Sequence, residues 1–105
     1  MIVVIFEVQP HAAGAPRYFD LAKQLRPELE KQDGFISIER FESLTAPGKF
    51  VSISFWRDEA AVTAWRDHSG HGEAQLLGKN ELFADYRITE AESLRVYGPN
   101  GPLPM

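Results

Sequence analysis

The first nine positions, MIVVIFEVQ, form a β-branched and aromatic run that is apolar from Met1 to Val8 apart from Glu7 and does not alternate, and Pro10 with the His11 to Gly14 loop ends it. β-branched and aromatic residues in a short apolar run predict a strand, and one that is apolar on both sides needs cover on both faces. From Pro16 the period changes. Tyr18, Leu21, Leu25 and Leu29 recur at helical spacing with Asp20, Lys23, Gln24 and Glu28 between them, so a helix is expected over 16–32 with a core-facing stripe. Pro27 removes a backbone donor inside it and predicts a kink or restart near Leu25 to Arg26, with the end at Asp33-Gly34.

Phe35 to Leu44 returns to the strand period, with Ile36 and Ile38 on one side and Phe35, Ser37, Glu39 and Phe41 on the other. Thr45 to Gly48 is a turn, and Phe50 to Arg57 completes a hairpin. Val51, Ile53 and Phe55 share one face of this third strand. Phe50, Ser52, Ser54 and Trp56 share the other, a mixed surface suited to a second sheet or a wet interior. Asp58 caps a second helix carrying Ala61, Ala64, Trp65 and His68 on one side. Gly70 and Gly72 interrupt it, a short helix at 73–80 follows, and the last strand is expected from Phe83 to Tyr97.

The order β-α-β-β-α-β is the split βαβ pattern, so the fold class is α+β, ferredoxin-like, with a four-stranded antiparallel sheet and helices on one face. Residues 1–98 form the domain and 99–105 an extended Pro/Gly-rich tail. Phe35, Phe41, Phe50 and Trp56 on an open face would make an apolar patch, which predicts a homodimer.

Composition narrows the function classes. A net charge of −4, with eleven basic residues scattered among fifteen acidic ones, offers no basic stripe for nucleic acid. With no cysteine, disulfides and thiolate chemistry are excluded. The apolar start is too short for a membrane span, and the expected address is the cytoplasm.

Candidate chemistry concentrates in Trp65-Arg66-Asp67-His68-Ser69-Gly70-His71, where the second helix breaks. Trp65 and His68 lie one turn apart and could face one cavity, although an inner-face Trp is also ordinary core. His68 and His71 lack a third ligand at metal-site spacing, so no metal is expected, whereas a neutral imidazole suits a general base. Arg87 on the last strand should pair with Glu39 or Glu42 across strands or across a dimer. No phosphate-cradling glycine loop or nucleophile elbow is present.

The run from Phe50 through Trp56, Trp65, His68 and His71, with Phe83-Ala-Asp-Tyr-Arg and Gly34-Phe35-Ile36, resembles the antibiotic biosynthesis monooxygenase domain of the dimeric α/β-barrel superfamily. The resemblance covers essentially the whole chain. It implies two sheets packed into a barrel and one pocket per subunit. In quinone-forming members, which use no metal or flavin, an Asn, a Trp and a Tyr surround a phenolic substrate. Here the Trp matches Trp65, the Asn position falls near Ala61 and the Tyr position near His71. Proton removal would then pass to His68 or His71. Haem-degrading members ligate iron through a His whose position reads as Gln75, and their strand-one Asn is missing, with Glu7 the polar residue there.

The implied activity is cofactor-independent oxidation of a small aromatic phenol or quinol by O2, with catalytic His68, His71 and Trp65 and a pocket of Phe6, Phe55, Tyr86 and Leu77. The alternative is a non-catalytic or stress-linked dimeric domain that holds a small apolar ligand.

Overall fold

The computed structural model describes residues 1–12, 14–68 and 83–103. His71, Gln75, Leu77 and the expected short helix at 73–80 lie outside them. Strand β1 (Ile2–Pro10), helix α1 (Ala15–Glu30), strands β2 (Phe35–Glu42) and β3 (Phe50–Trp56), helix α2 (Glu59–Arg66) and strand β4 (Phe83–Glu92) follow in the expected order. The antiparallel sheet is ordered β2-β3-β1-β4. β1 is therefore central, which explains its apolar run, and β4 is an edge, which explains its charges.

Helix α1 runs as one segment through Pro27, so no restart occurs, and it ends at Glu30 with Lys31 as its cap. The tight exit is made at Gly34, whose φ is +87° and where an added Cβ would stand 2.6 Å from the Ala61 Cβ. Only glycine meets both conditions. Gly34 also accepts from the Arg57 backbone N–H at 2.8 Å, while the Arg57 guanidinium grips Asp33 with two bonds, 3.0 and 3.2 Å long. Asp58 caps α2 by accepting from the Ala61 N–H at 2.9 Å. That bond, with Arg57 beside it, holds the Asp58 carboxyl below the usual range.

The register corrects the assignment of faces. Trp56 sits opposite Ile2, Ser54 opposite Val4, Ser52 opposite Phe6 and Phe50 opposite Val8. Residues directly opposite share a face, and this one is covered by the helices: Trp56 is 2 % exposed and Ser52 and Ser54 each 7 %. The open face carries Val3, Ile5, Val51, Ile53, Phe55 and Phe41 instead. Phe35, Phe50 and Trp56 are therefore core residues. Phe35 joins Ile38 on the helix side because the register shifts between Phe35 and Ser37, leaving Ile36 exposed. On α2 the buried face is Ala61, Val62 and Trp65, and Ala64 is exposed.

On the open face Arg87 pairs with Glu7 at 2.7 Å, not with Glu39 or Glu42, because β4 neighbours β1 and not β2. Lys49 approaches the same carboxylate at 3.8 Å. The last strand stops at Glu92, short of Tyr97. Instead of an extended tail, β5 (Tyr97–Gly98) and β6 (Gly101–Pro102) close a small hairpin. Among the described residues no helix is long and apolar enough to cross a membrane.

Candidate functional site

The core on the helix side is split in two. One cluster gathers Leu29, Trp56, Ala61, Val62 and Trp65; the other centres on Val8 and Tyr18, with Phe6, Phe19, Phe50 and Phe83 packed on it. The helical stripe of α1 bridges them, and its middle members Leu21 and Leu25 remain half-buried while Tyr18 and Leu29 at either end are buried. A cavity of about 510 Å³ lies between α1, α2 and the sheet and explains that incomplete burial. Its volume falls within the range of small-molecule sites.

Two rows of the sheet floor the cavity. Arg40, Ser52, Phe6 and Ile88 form one, and Ile38, Ser54, Val4 and Glu90 the next. Apolar residues dominate, with polar groups at set places. Ser54 Oγ accepts from the Trp56 indole Nε1 at 2.9 Å, so this serine is satisfied inside the core. Arg66 of α2 donates to Glu90 at 2.9 Å along the wall. Arg26 is held by Glu30 at 2.6 Å. Arg40 lies over the rings of Tyr18 and Phe19, 5.2 and 5.8 Å from their centroids.

The expected site residues are only partly brought together. Trp65 and Phe6 line the cavity. Tyr86 stands outside the wall, its ring meeting Phe6 edge-on at 6.1 Å and Phe83 at 5.9 Å. Phe55 does not reach the cavity, because it pairs with Val3 and Ser37 on the open face. His68 is not in the wall either. Its ring stacks on Trp65 at 5.2 Å with 27° between planes, and its Nε2 stands 3.8 Å from Glu28 of α1. Its Nδ1 is buried without a hydrogen-bond partner. Among the described residues no group of three or more His, Cys, Asp or Glu gathers as a metal site.

Sequence reasoning missed Tyr18, Arg40 and Ser52 as wall residues. Ser52 and Ser54, alternating with Phe50 and Trp56, were the available signal, since two serines on a face with two large aromatics fit a partly hollow interior.

Residues 1–76 match the antibiotic biosynthesis monooxygenase family. The chain is 43% identical over 88 residues to a Pyricularia oryzae protein named jasmonate monooxygenase ABM; the match takes in 84% of this chain and 41% of that protein, so the chain spans about two fifths of its length. In fold it is similar to a Deinococcus radiodurans protein proposed as an antibiotic biosynthesis monooxygenase, with a TM-score of 0.80, 20% identity and coverage of 93% and 97% of the two chains. It is also similar to Rv0793 from Mycobacterium tuberculosis, with a TM-score of 0.82, 18% identity and coverage of 92% and 98%.

Proposed function

The chain belongs to the antibiotic biosynthesis monooxygenase family, and from that premise we propose that it oxidises a small, largely apolar organic substrate with O2 in the cavity between its helices and sheet. The observation that carries the reading is the cavity itself, with Trp65, Trp56 and Phe6 in its wall where an ordinary small domain would close its core.

The substrate class proposed is a phenol, quinol or anthrone whose conjugate base is electron-rich. Removal of a proton lets that anion reduce O2 without a further reductant. For an anthrone the balance is one methylene and one O2 giving one carbonyl and one water, so the four electrons that reduce O2 come from the substrate carbon. The apolar wall lowers the local dielectric and excludes competing water. Trp65 is proposed to pack against the substrate, and proton removal is proposed for His71, which lies outside the described residues, or for His68, which would have to turn from its stack on Trp65 to reach the cavity.

The working unit is proposed to be a homodimer joined through Val3, Ile5, Val51, Ile53 and Phe55. On a lone chain these side chains form an uncovered apolar surface between Phe41 and the Glu7–Arg87 pair. Light scattering at micromolar concentration should give twice the 11.8 kDa chain mass; a value at the chain mass contradicts it.

A second reading is favoured by the position of His68 outside the wall: a domain that holds an apolar ligand without converting it. Oxygen-electrode assays with anthrones, quinols and jasmonate, run beside anaerobic controls, separate the two. Oxygen-dependent product that falls in Trp65→Phe and in a His68→Ala/His71→Ala double variant supports the oxygenase. No oxygen use with any compound sinks it, and full activity in the double variant removes the histidines from the mechanism.

A further inference from the structure

We infer that the Arg40 end of the cavity is a carboxylate-binding subsite, so that the molecules it takes are apolar bodies bearing a carboxylic acid group. The inference rests on the proposed function only for calling that molecule a substrate; the binding claim stands apart from turnover.

Strand alternation puts Arg40 on the helix side of β2, directly opposite Ser52 of β3. Its guanidinium lies across Tyr18 and Phe19. Stacking of this kind holds the planar fork in place and leaves its N–H donors free at the edge, a preorganised arrangement for a two-oxygen acceptor. Every other arginine of the wall is already committed: Arg66 to Glu90 and Arg26 to Glu30. Arg40 makes no ion pair or hydrogen bond with any carboxylate among the described residues.

Two further donors line the same cavity unused. Ser52 is 7 % exposed and Tyr18 also 7 %, yet neither hydroxyl forms a hydrogen bond with another described residue. Neither oxygen is sealed off, since among the described residues the buried side-chain polar atom without a partner is His68 Nδ1, so two accessible hydroxyls accompany an accessible guanidinium, a donor set that fits a two-oxygen acceptor. The contrast with Ser54, whose hydroxyl is occupied by Trp56 one row away, marks the polar end of the cavity. One guanidinium and two hydroxyls match the single charge of a carboxylate, and the remaining apolar wall suits a ring or chain attached to it.

The test is titration calorimetry with 2-naphthoate and its neutral isostere 2-naphthamide, on the unaltered chain and on Arg40→Gln, Arg40→Lys, Ser52→Ala and Lys23→Gln. Among the described residues Lys23 is the wall's other cation without an ion pair. The acid should bind roughly 10–100-fold tighter than the amide, the size of a charge-assisted hydrogen bond in a partly dry site. Arg40→Gln should erase that preference while leaving the amide unchanged, Arg40→Lys should restore part of it, Ser52→Ala should reduce it, and Lys23→Gln should keep it. Because Arg40 is an exposed residue on an edge strand, its replacement leaves the core intact.

Equal binding of acid and amide, including binding of neither, overturns the inference. So does loss of both ligands alike in Arg40→Gln, or loss of the preference in Lys23→Gln instead. Failure of the oxygenase reading looks different: Arg40-dependent acid binding with no oxygen consumption keeps the subsite and removes the chemistry, whereas oxygen use on neutral quinols without acid preference does the reverse.

Discussion

The two faces of one sheet use the same strands in different ways. On the helix side, β1 and β3 present Val4, Phe6, Ser52, Ser54 and Trp56 to a half-filled core; on the other, the alternate residues Val3, Ile5, Val51, Ile53 and Phe55 make an aliphatic and aromatic surface that the chain itself does not cover. The covered face holds Ser52 and Ser54, whereas these five open-face residues are all apolar, with the Glu7–Arg87 pair at their edge. That inversion teaches that polarity alone does not tell the inside of a sheet from its outside, because a cavity needs polar groups and an interface needs apolar ones.

The strongest way to break the comparison is at Trp56, which is 2 % exposed and joins the helix-side core. Trp56→Ala should cost about 3–5 kcal/mol of unfolding free energy in urea. A loss under about 1 kcal/mol would mean that this face is not the core. Next comes Gly34→Ala, which combines a φ of +87° with a 2.6 Å approach to Ala61. Equilibrium unfolding should show it destabilised by about 1–3 kcal/mol, and an unchanged midpoint would contradict the packing of α2 on that turn.

Ser54→Ala sharpens the same face, since it leaves the buried Trp56 indole N–H unpaired. About 1–2 kcal/mol should be lost, whereas Ser52→Ala, whose hydroxyl bonds no described residue, should leave stability nearly unchanged. On the open face, Phe55→Asp should alter the assembly more than the chain, shifting sedimentation from twice the 11.8 kDa chain mass toward a single copy. A mass unaffected by that charge would move the interface elsewhere.

The smallest effect concerns Glu7, whose carboxyl the Arg87 hydrogen bond holds below its ordinary value of 4.5. A depressed carboxylate stabilises the fold above its unfolded pKa, and that contribution disappears as pH falls through the lower folded value. Arg87→Gln should therefore be slightly less stable than the unaltered chain at neutrality and converge on it as pH falls below about 4.5, which flattens its acid limb. Unfolding midpoints across that range measure it, and identical acid limbs would show the pair to be energetically idle.

Much of the fold was legible because period and punctuation agree: Pro16 opens α1, Asp58 caps α2, and the hairpin of β2 and β3 turns at Thr45 to Gly48. The faces were not legible. Trp56 looked like an interface residue because Ser52 and Ser54 share its phase, and only the strand order shows the helices lying over all three. The bulge near Phe35 moved that ring to the core, a one-residue shift that alternation cannot see. Of the site, Trp65 and Phe6 were readable as inward aromatics. Phe55 was placed on the wrong side by the same error, and Arg40 was invisible because an arginine on an edge strand reads as a solvated charge until the rings beneath it are known.

Methyl-resolved NMR of the chain titrated with 2-naphthoate tests the central claim, a ligand site on the helix side and none on the open side. Val4, Ile38, Leu25 and Ile88 methyls, with the indole signals of Trp56 and Trp65, should shift together at saturation, while Val3, Ile5 and Ile53 stay fixed. Shifts that gather on Val3, Ile5 and Ile53 instead would contradict it.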